Sequence, residues 1–367
     1  MTRVIIVGCG IIGATIAYEL SQIPSLTITV LDQQPPAQGS TGAALGVLMG
    51  AISHKVRGRA WQLREFSLRR YETLIPELET ATGTHIPYNR QGIVLLRLDE
   101  DNEAGWRSLA ETRQQQGWSL ELWDAAQMQT HCPQVAPIVP AVYSPQDRQL
   151  HPAYLTEALV TAARGRGVTF LLNTPVEALA LDMNISECRG VHTRQGLQEA
   201  DWIILASGLG TTSLTQDLET PLAVGPVLGQ AARLKLSQPM GHPDFQPVIT
   251  GYDIHIVPLG QGEYWVGATV EFPPDGGELA VNPENLTPVL EGATALCPTL
   301  AQAEIVQTWS GLRPRPSQQP APVIEVIPGA TNVILATGHY RNGVLLAPAT
   351  AERVKVLMGL ATDSPLL

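Results

Sequence analysis

The chain has 367 residues, 44% hydrophobic residues and a formal net charge of −11. This length and apolar content allow a core in two domains or in one large discontinuous domain. The acidic balance without a basic stripe argues against a nucleic-acid partner, and no apolar run after residue 20 is long enough to cross a membrane.

The first predicted element is a strand over residues 3–7 that breaks into Gly8, Gly10 and Gly13. In a dinucleotide-binding βαβ unit these glycines make the tight turn, let the backbone approach a pyrophosphate and let the helix pack on the strand. Asp32 ends the second apolar run 24 residues after Gly8, where its carboxylate can accept hydrogen bonds from an adenosine ribose. An ordinary core turn is one alternative. A secretory signal is another, but an acidic residue in the stretch and a missing cleavage motif argue against it.

Residues 38–50 have almost no bulk before Leu45, which indicates that something large lies against this backbone. The pattern then predicts a helix over 60–81 in which Pro76 kinks or ends one segment. The elements predicted next are a strand at 92–97 and helices over 101–117 and 124–131.

A helix is predicted from His151 to residues 165–167, with Pro152 in its first turn. Strands at 168–172, 176–181 and 190–193 precede a buried strand at 200–205. That last strand stops at the small residues Ala206 and Gly208, where a backbone again passes close to a ligand or another segment.

The region from 221 to 322 alternates apolar and polar residues and predicts a largely antiparallel layer, with strands at 233–236, 254–257 and 264–267 and a helix near 285–297. The chain closes with a strand at 333–337, a glycine turn and a helix through residue 360. We therefore expect an α/β fold in which residues 1–80, 145–220 and 325–367 form a discontinuous nucleotide-binding domain. Residues 81–144 and 221–324 form the substrate-binding domain.

One dinucleotide is predicted rather than two. In a NAD-dependent dehydrogenase, further βα units follow directly after the first one. In this chain, a helix and an antiparallel region follow the first βαβ unit instead. Flavoproteins that also use NAD(P)H carry a second glycine fingerprint, and Gly208-Leu-Gly210 lacks the third glycine. We expect electrons to come from the substrate and to pass to oxygen or another acceptor.

Six segments occur in the order seen in the FAD-dependent D-amino acid oxidase superfamily. They are the glycine fingerprint with Asp32, the Ser40-Thr41 loop, residues 226–230, residues 256–258 followed by 266–271, and residues 309–314 and 338–343. Within that superfamily the chain most resembles the glycine oxidases of the thiamin thiazole pathway, over nearly its whole length. The resemblance implies a Rossmann-type FAD-binding domain like that of glutathione reductase, with a second, largely antiparallel β-sheet domain.

The resemblance also implies non-covalent FAD. The helix that begins at residue 343 would direct backbone N–H groups at the flavin N1/O2 edge, although an ordinary strand-to-helix connection is the alternative. Sarcosine oxidases attach flavin through a cysteine where this chain has residues 312–314, and its four cysteines lie elsewhere. The cofactor-binding residues predicted are Gly8, Gly10, Ile12, Gly13, Asp32, Gln33, Ser40, Thr41, Gly46, Val47, Leu48, Val176, Ala206, Gly208, His339, Tyr340, Arg341, Asn342, Gly343, Val344 and Leu345.

Three residues are predicted to act on the substrate. Arg313 would grip its carboxylate through two parallel hydrogen bonds, against the alternative of a surface ion pair. Arg341 would stand at the pocket mouth. His255 occupies a position where glycine oxidases place a tyrosine, and it is either a substitute donor or a structural histidine. Regular strand alternation would put Asp253 on the same face as His255 and turn Tyr252 away.

The implied reaction is oxidative deamination of glycine, sarcosine or D-alanine by hydride transfer to flavin N5. It gives an imine, then an α-keto acid and ammonia, with molecular oxygen reduced to hydrogen peroxide. A homotetramer, no metal and a cytoplasmic location are expected, the last because four cysteines without CxxC spacing suit reduced thiols. The alternatives are a D-amino acid dehydrogenase that reduces a quinone, a non-catalytic flavin-binding protein and a NAD(P) dehydrogenase.

Overall fold

The computed structural model describes residues 1–98, 103–182, 186–218, 220–274, 279–361, 364 and 366. Its strands are β1 (Thr2–Val7), β2 (Leu26–Leu31), β3 (Val47–Leu48), β4 (Tyr88–Asn89), β5 (Ile93–Leu96), β6 (Glu121–Trp123), β7 (Ala141–Ser144), β8 (Arg148–Leu150), β9 (Thr169–Leu171), β10 (Val176–Asp182), β11 (Glu187–Thr193), β12 (Gly196–Glu199), β13 (Trp202–Leu205), β14 (Val224–Lys235), β15 (Val248–Gly251), β16 (Ile254–Gly260), β17 (Glu263–Gly267), β18 (Glu304–Pro316), β19 (Val323–Val326) and β20 (Val333–Thr337). Its α-helices are α1 (Ile11–Leu20), α2 (Ser40–Ala43), α3 (Gly58–Thr82), α4 (Glu103–Gln115), α5 (Ala125–His131), α6 (Pro152–Gly165), α7 (Thr211–Thr215), α8 (Thr287–Leu296) and α9 (Gly343–Leu357).

A six-stranded sheet in the order β19-β20-β13-β1-β2-β9 carries the two ends of the chain. Every pair in it is parallel except β19 with β20. At its centre Val7 lies beside Leu31 on one side and Leu205 on the other. The carboxyl ends of these strands therefore share one edge, which is where open α/β sheets bind ligands.

Helices α1, α3, α6 and α9 pack together against this sheet. Helix α1 is buried along almost its whole length because α6 and α9 both contact it. Helix α3 runs through Pro76 to Thr82, so of the two predicted effects, a kink or a helix end, the helix end is wrong. Burial of Leu74 and Leu78 holds that stretch helical, and the helix ends at Gly83, which has the left-handed conformation typical of a helix C-terminus.

An eight-stranded sheet in the order β18-β14-β17-β16-β15-β5-β7-β6 forms the second layer. Its pairs are antiparallel except β15 with β5. Helix α8 covers one face through a separate hydrophobic cluster. Two three-stranded sheets, β10-β11-β12 and β3-β8-β4, complete the α/β fold. The division of the chain into two domains stays a prediction.

The turn between β15 and β16 differs from the expected regular strand. Tyr252 and Asp253 both have positive φ, 51° and 61°, and Gly251 pairs with Ile254 across them. Two positive φ values define a two-residue hairpin turn of type I′. Asp253 is thus a turn residue, and its position does not follow from the alternation of the strand.

Two further comparisons concern helices. The predicted helix over 101–117 begins in residues outside the described part of the chain, and α4 is described from Glu103 to Gln115. Within the described ranges, no helix combines the length and the apolar character that crossing a bilayer requires.

Candidate active site

A cleft of about 610 Å³ opens at the carboxyl edge of the six-stranded sheet and reaches the eight-stranded sheet. Arg313 and His255 line it, as predicted for substrate-binding groups. The predicted cofactor-binding residues that line it are Gly8, Gly10, Ile12, Asp32, Gln33, Ser40, Thr41, Gly46, Val47, Val176, Ala206, Gly208, His339, Tyr340, Arg341, Gly343 and Val344. Residues from both ends of the chain therefore meet in one place.

Four predicted cofactor-binding residues do not line the cleft: Gly13, Leu48, Asn342 and Leu345. Leu48 and Leu345 are buried in the core instead. Asn342 precedes α9 without a side-chain capping bond. Backbone N–H groups, not side chains, are the predicted contacts at the start of α9, so a role for these four residues in cofactor binding stays a prediction.

The three glycines of the first loop have different surroundings. Gly8 has a φ of +109°, and a Cβ there would lie 2.4 Å from the carbonyl oxygen of Ala206. A Cβ at Gly13 would lie 1.9 Å from the carbonyl oxygen of Gly8. Among the described residues, a Cβ at Gly10 would meet only Thr41 Oγ1, at 3.1 Å. Gly8 and Gly13 thus allow close backbone packing, whereas Gly10 leaves space on the cleft side.

Asp32 and Thr41 organise the start of α1. The Asp32 carboxylate accepts hydrogen bonds from Cys9 N at 2.5 Å and from Gln34 N at 2.9 Å. Thr41 Oγ1 accepts one from Ile11 N at 3.0 Å. Each carboxylate oxygen has a second lone pair, so Asp32 can also accept a bond from a ribose hydroxyl. With the open face of Gly10, this loop fits a dinucleotide at the positive end of α1.

The start of α9 faces the same cleft. Leu346 N donates to the carbonyl of Asn342 at 2.9 Å, so the N–H groups of residues 343–345 precede the first bond of the helix ladder. Gly343 and Val344 line the cleft, and the Tyr71 hydroxyl of α3 donates a hydrogen bond to the Val344 carbonyl. This contact fixes the first turn of α9, whose dipole places partial positive charge at the cleft.

His339 lies beneath that turn and is 3% exposed. Its Nε2 lies 2.8 Å from Thr350 Oγ1, and the Thr350 hydroxyl donates its own proton to the Leu346 carbonyl. The hydroxyl must therefore accept from His339, which assigns the proton of the neutral ring to Nε2. Burial lowers the pKa of His339 to about 3.

This burial predicts an acid-sensitive fold. Between pH 3 and 6.5 the unfolded chain binds a proton at His339 that the folded chain does not, so the free energy of unfolding falls as the pH falls. Relative to pH 7, we expect a loss of about 2 kcal/mol at pH 5 from this residue. Urea unfolding of wild type and His339→Gln across this pH range measures it. Equal pH dependence in both proteins would contradict the assignment.

Arg313 lies on β18, opposite Val227 of β14. Its guanidinium covers Gly229, where a Cβ would lie 2.3 Å from one of its nitrogens. Within the described chain its hydrogen bond goes from Nη1 to the Leu228 carbonyl at 3.0 Å. Burial lowers its pKa, as does the nearby charge of Arg341. A guanidinium has five N–H donors, so Arg313 retains donors for a carboxylate in the cleft.

His255 and Arg341 stand beside it. His255 Nδ1 lies 3.0 Å from Thr250 Oγ1, and burial, assisted by the charge of Arg341, lowers its pKa to about 4. Arg341 forms an ion pair with Asp253, at 3.3 Å. The structure thus brings the three predicted substrate-binding residues together, and His255 is neutral at neutral pH.

Sequence reasoning missed several lining residues, among them Ser207, Gly229, Asp253, Ala268 and Gly311. Gly229 was in one of the segments that carry the family resemblance, but nothing local showed that it makes room for Arg313. A Cβ at Gly311 would lie 2.2 Å from that of Ala43, so β18 and α2 meet closely. The abundance of small residues in both segments was the available signal.

All four cysteines are buried free thiols, and none lines the described cleft. Burial raises the pKa of Cys9, Cys132 and Cys297 to about 12. Such thiols stay protonated and are poor nucleophiles. We therefore expect FAD to be released by trichloroacetic acid, with yellow colour in the supernatant. Colour that remains in the precipitated protein would show a covalent bond.

Comparisons with known proteins identify the family of this chain. The family model described as "FAD dependent oxidoreductase" (DAO) matches residues 3–355. A bifunctional protein ThiO/ThiG from Nostoc sp. is 31% identical over 100% of this chain and 54% of that protein, so the chain spans about half its length. A glycine oxidase from Geobacillus kaustophilus is 28% identical over 97% of this chain and 92% of that protein.

Solved structures agree in fold. The glycine oxidase from Bacillus cereus superposes with a TM-score of 0.87 at 25% identity, covering 100% of this chain and 97% of the other. The glycine oxidase from Geobacillus kaustophilus gives 0.87 at 26% identity, with the same coverage. The predicted fold class and FAD are confirmed. The chain belongs to the DAO family of FAD dependent oxidoreductases.

Proposed function

We propose that this chain oxidises the amine of glycine, sarcosine or a small D-amino acid. The first loop and the start of α9 would hold FAD, which when bound would supply the hydride acceptor at flavin N5 and a route for the electrons to oxygen, giving hydrogen peroxide. The imine is then hydrolysed to an α-keto acid and ammonia or methylamine. The observation that carries this proposal is the partly buried Arg313 guanidinium, which has donors to spare in the cleft that the α9 N-terminus also faces.

The residues of the cleft supply position and charge. Arg313 binds the substrate carboxylate in a bidentate manner, which fixes where the α-carbon lies. The N-terminus of α9 would stabilise negative charge on a flavin held beside it. His255, neutral and held by Thr250, offers its other ring nitrogen to the substrate in place of a tyrosine hydroxyl. No strong base is needed when the amine binds in its neutral form.

Other features remain predictions that accompany this proposal. They are oxygen as the acceptor, a homotetramer, a cytoplasmic location and a role in thiamin thiazole formation. The relatives named glycine oxidase and ThiO/ThiG support the substrate class and that role.

The test is a substrate panel with the FAD-loaded protein. We expect hydrogen peroxide under air with glycine, sarcosine or D-alanine, and bleaching of the flavin absorption by the same amines without air. Bleaching without peroxide, together with quinone reduction, would show a dehydrogenase. If none of the amines bleaches the flavin, the chain is a flavin-binding protein without this activity.

A further inference from the structure

The two arginines of the cleft differ in their partners. Arg341 Nη1 and Nη2 lie 3.4 and 3.3 Å from the two carboxylate oxygens of Asp253, in a fork-to-fork arrangement. Within the described chain, the hydrogen bond of Arg313 goes to a backbone carbonyl instead. Arg341 therefore has a carboxylate partner at ion-pair distance, whereas Arg313 has, in the described part of the chain, only the more distant charge of Glu271 and keeps its remaining donors for a ligand.

The backbone fixes Asp253 in this position. It is the second residue of the type I′ turn between β15 and β16, a turn that favours Asn, Asp and Gly. It lines the cleft, and its side chain is 73% exposed, so it stands at the solvent side of the opening. His255, two residues further on, is directed into the cleft behind it.

The ion pair has little structural value. Both partners are partly or largely exposed, and exposed ion pairs add little to stability. The pair matters for what the cleft can bind. Without Asp253, the cleft would present two guanidinium groups that have no carboxylate at ion-pair distance among the described residues, which suits a ligand with two carboxylates. With Asp253 present, a second ligand carboxylate has to displace the Asp253 carboxylate from Arg341. The two negative charges then repel each other.

We propose that Asp253 is a specificity-determining residue that occupies Arg341 and restricts the cleft to amines with a single carboxylate. This inference rests on the proposed function, because it takes Arg313 as the group that binds the first carboxylate. It adds the class of substrate that is rejected: amino acids with a second carboxylate, such as D-aspartate or iminodiacetate, which is glycine with an N-carboxymethyl group.

The test compares unreactive ligands with one and two carboxylates, acetate and malonate, on the FAD-loaded protein. Binding is followed by the change in flavin absorption and, independently, by the shift in unfolding temperature. The variant is Asp253→Asn, since Asn suits the same turn and preserves the backbone. We expect malonate to bind about tenfold more tightly to this variant, acetate to change less than about twofold, and the gain to shrink at high salt.

The control is Asp244→Asn, which removes the same charge at an exposed position outside the cleft. It should leave both affinities unchanged. Equal effects of Asp253→Asn on acetate and malonate, or no effect on either, would overturn the proposal. So would the same result from the Asp244→Asn control.

Turnover gives a second readout. The ratio of kcat/KM for iminodiacetate to that for glycine should rise about tenfold in Asp253→Asn. An unchanged ratio would count against the proposal. If the wild type oxidises no amine, the proposed function fails, and the comparison of malonate with acetate still decides the role of Asp253 because it measures equilibrium binding.

Discussion

Replacing Arg313 by alanine is expected to raise the KM for glycine by about one to three powers of ten. A charge-assisted, bidentate bond to a carboxylate contributes about 1.5 to 3 kcal/mol or more, and its loss removes binding in the ground and transition states alike. The fold should survive the change. The Leu228 carbonyl, which Arg313 bonds, also accepts from Glu271 N at 3.0 Å, so no buried acceptor is left without a donor.

Steady-state kinetics with glycine and a melting curve of the holoprotein measure these two effects. Arg313→Lys keeps the charge but not the planar fork, and should give an intermediate KM. Arg194→Ala is the matched control, because that side chain is 82% exposed and lies outside the cleft. Unchanged kinetics in Arg313→Ala would remove the carboxylate-binding role and favour a structural arginine.

Two alanine substitutions in the first loop are expected to fail in different ways. Gly10 and Gly13 have backbone conformations open to any residue, so neither change strains φ. In Gly13→Ala the new Cβ would clash with the Gly8 carbonyl, and we expect a loss of about 3 kcal/mol in the apoprotein. In Gly10→Ala the Cβ enters the cleft beside Thr41, and we expect FAD to bind about tenfold to a hundredfold more weakly.

Denaturant unfolding of the apoproteins and titration with FAD separate the two effects. Gly10→Ala should retain the apoprotein stability of wild type to within about 1 kcal/mol. Gly165→Ala, at the end of α6, is the control, because a Cβ there meets no described atom within 4 Å and Gly165 does not line the cleft. If Gly10→Ala bound FAD with wild-type affinity, the cofactor would not lie against this loop.

Local sequence patterns were sufficient to predict the elements whose structure depends on residues close in the chain. The first strand, the glycine turn and α1 follow from β-branched residues, missing side chains and helical periodicity within twenty residues. The same holds for β20, its glycine turn and α9. The order of the six family segments then placed the first loop, the α9 turn and Arg313 in one site, and the structure brings them to one cleft.

Local patterns failed where packing between distant segments outweighs local preference. Pro76 predicts either a kink or a helix end, and burial of its neighbours against α9 and α6 rules out the helix end by keeping α3 helical through it. Asp253 reads as a strand residue, but the hairpin pairing of β15 with β16 makes it a turn residue. The side chains of Leu48 and Leu345 are buried in the core, which local patterns did not show, and contact of these residues with the cofactor stays a prediction.

The amino-acid sequence by itself determined the kind of fold, the dinucleotide loop, the flavin family and the identity of Arg313, His255 and Arg341 as the residues to examine. Only the tertiary structure decided that Arg313 lies over Gly229 with donors to spare, and that Asp253 occupies Arg341. The physical reason is the separation in sequence between the residues that interact. Turns and helices depend on residues a few positions apart, whereas the charge balance of the cleft depends on side chains separated by 88 positions that meet only when both sheets are packed.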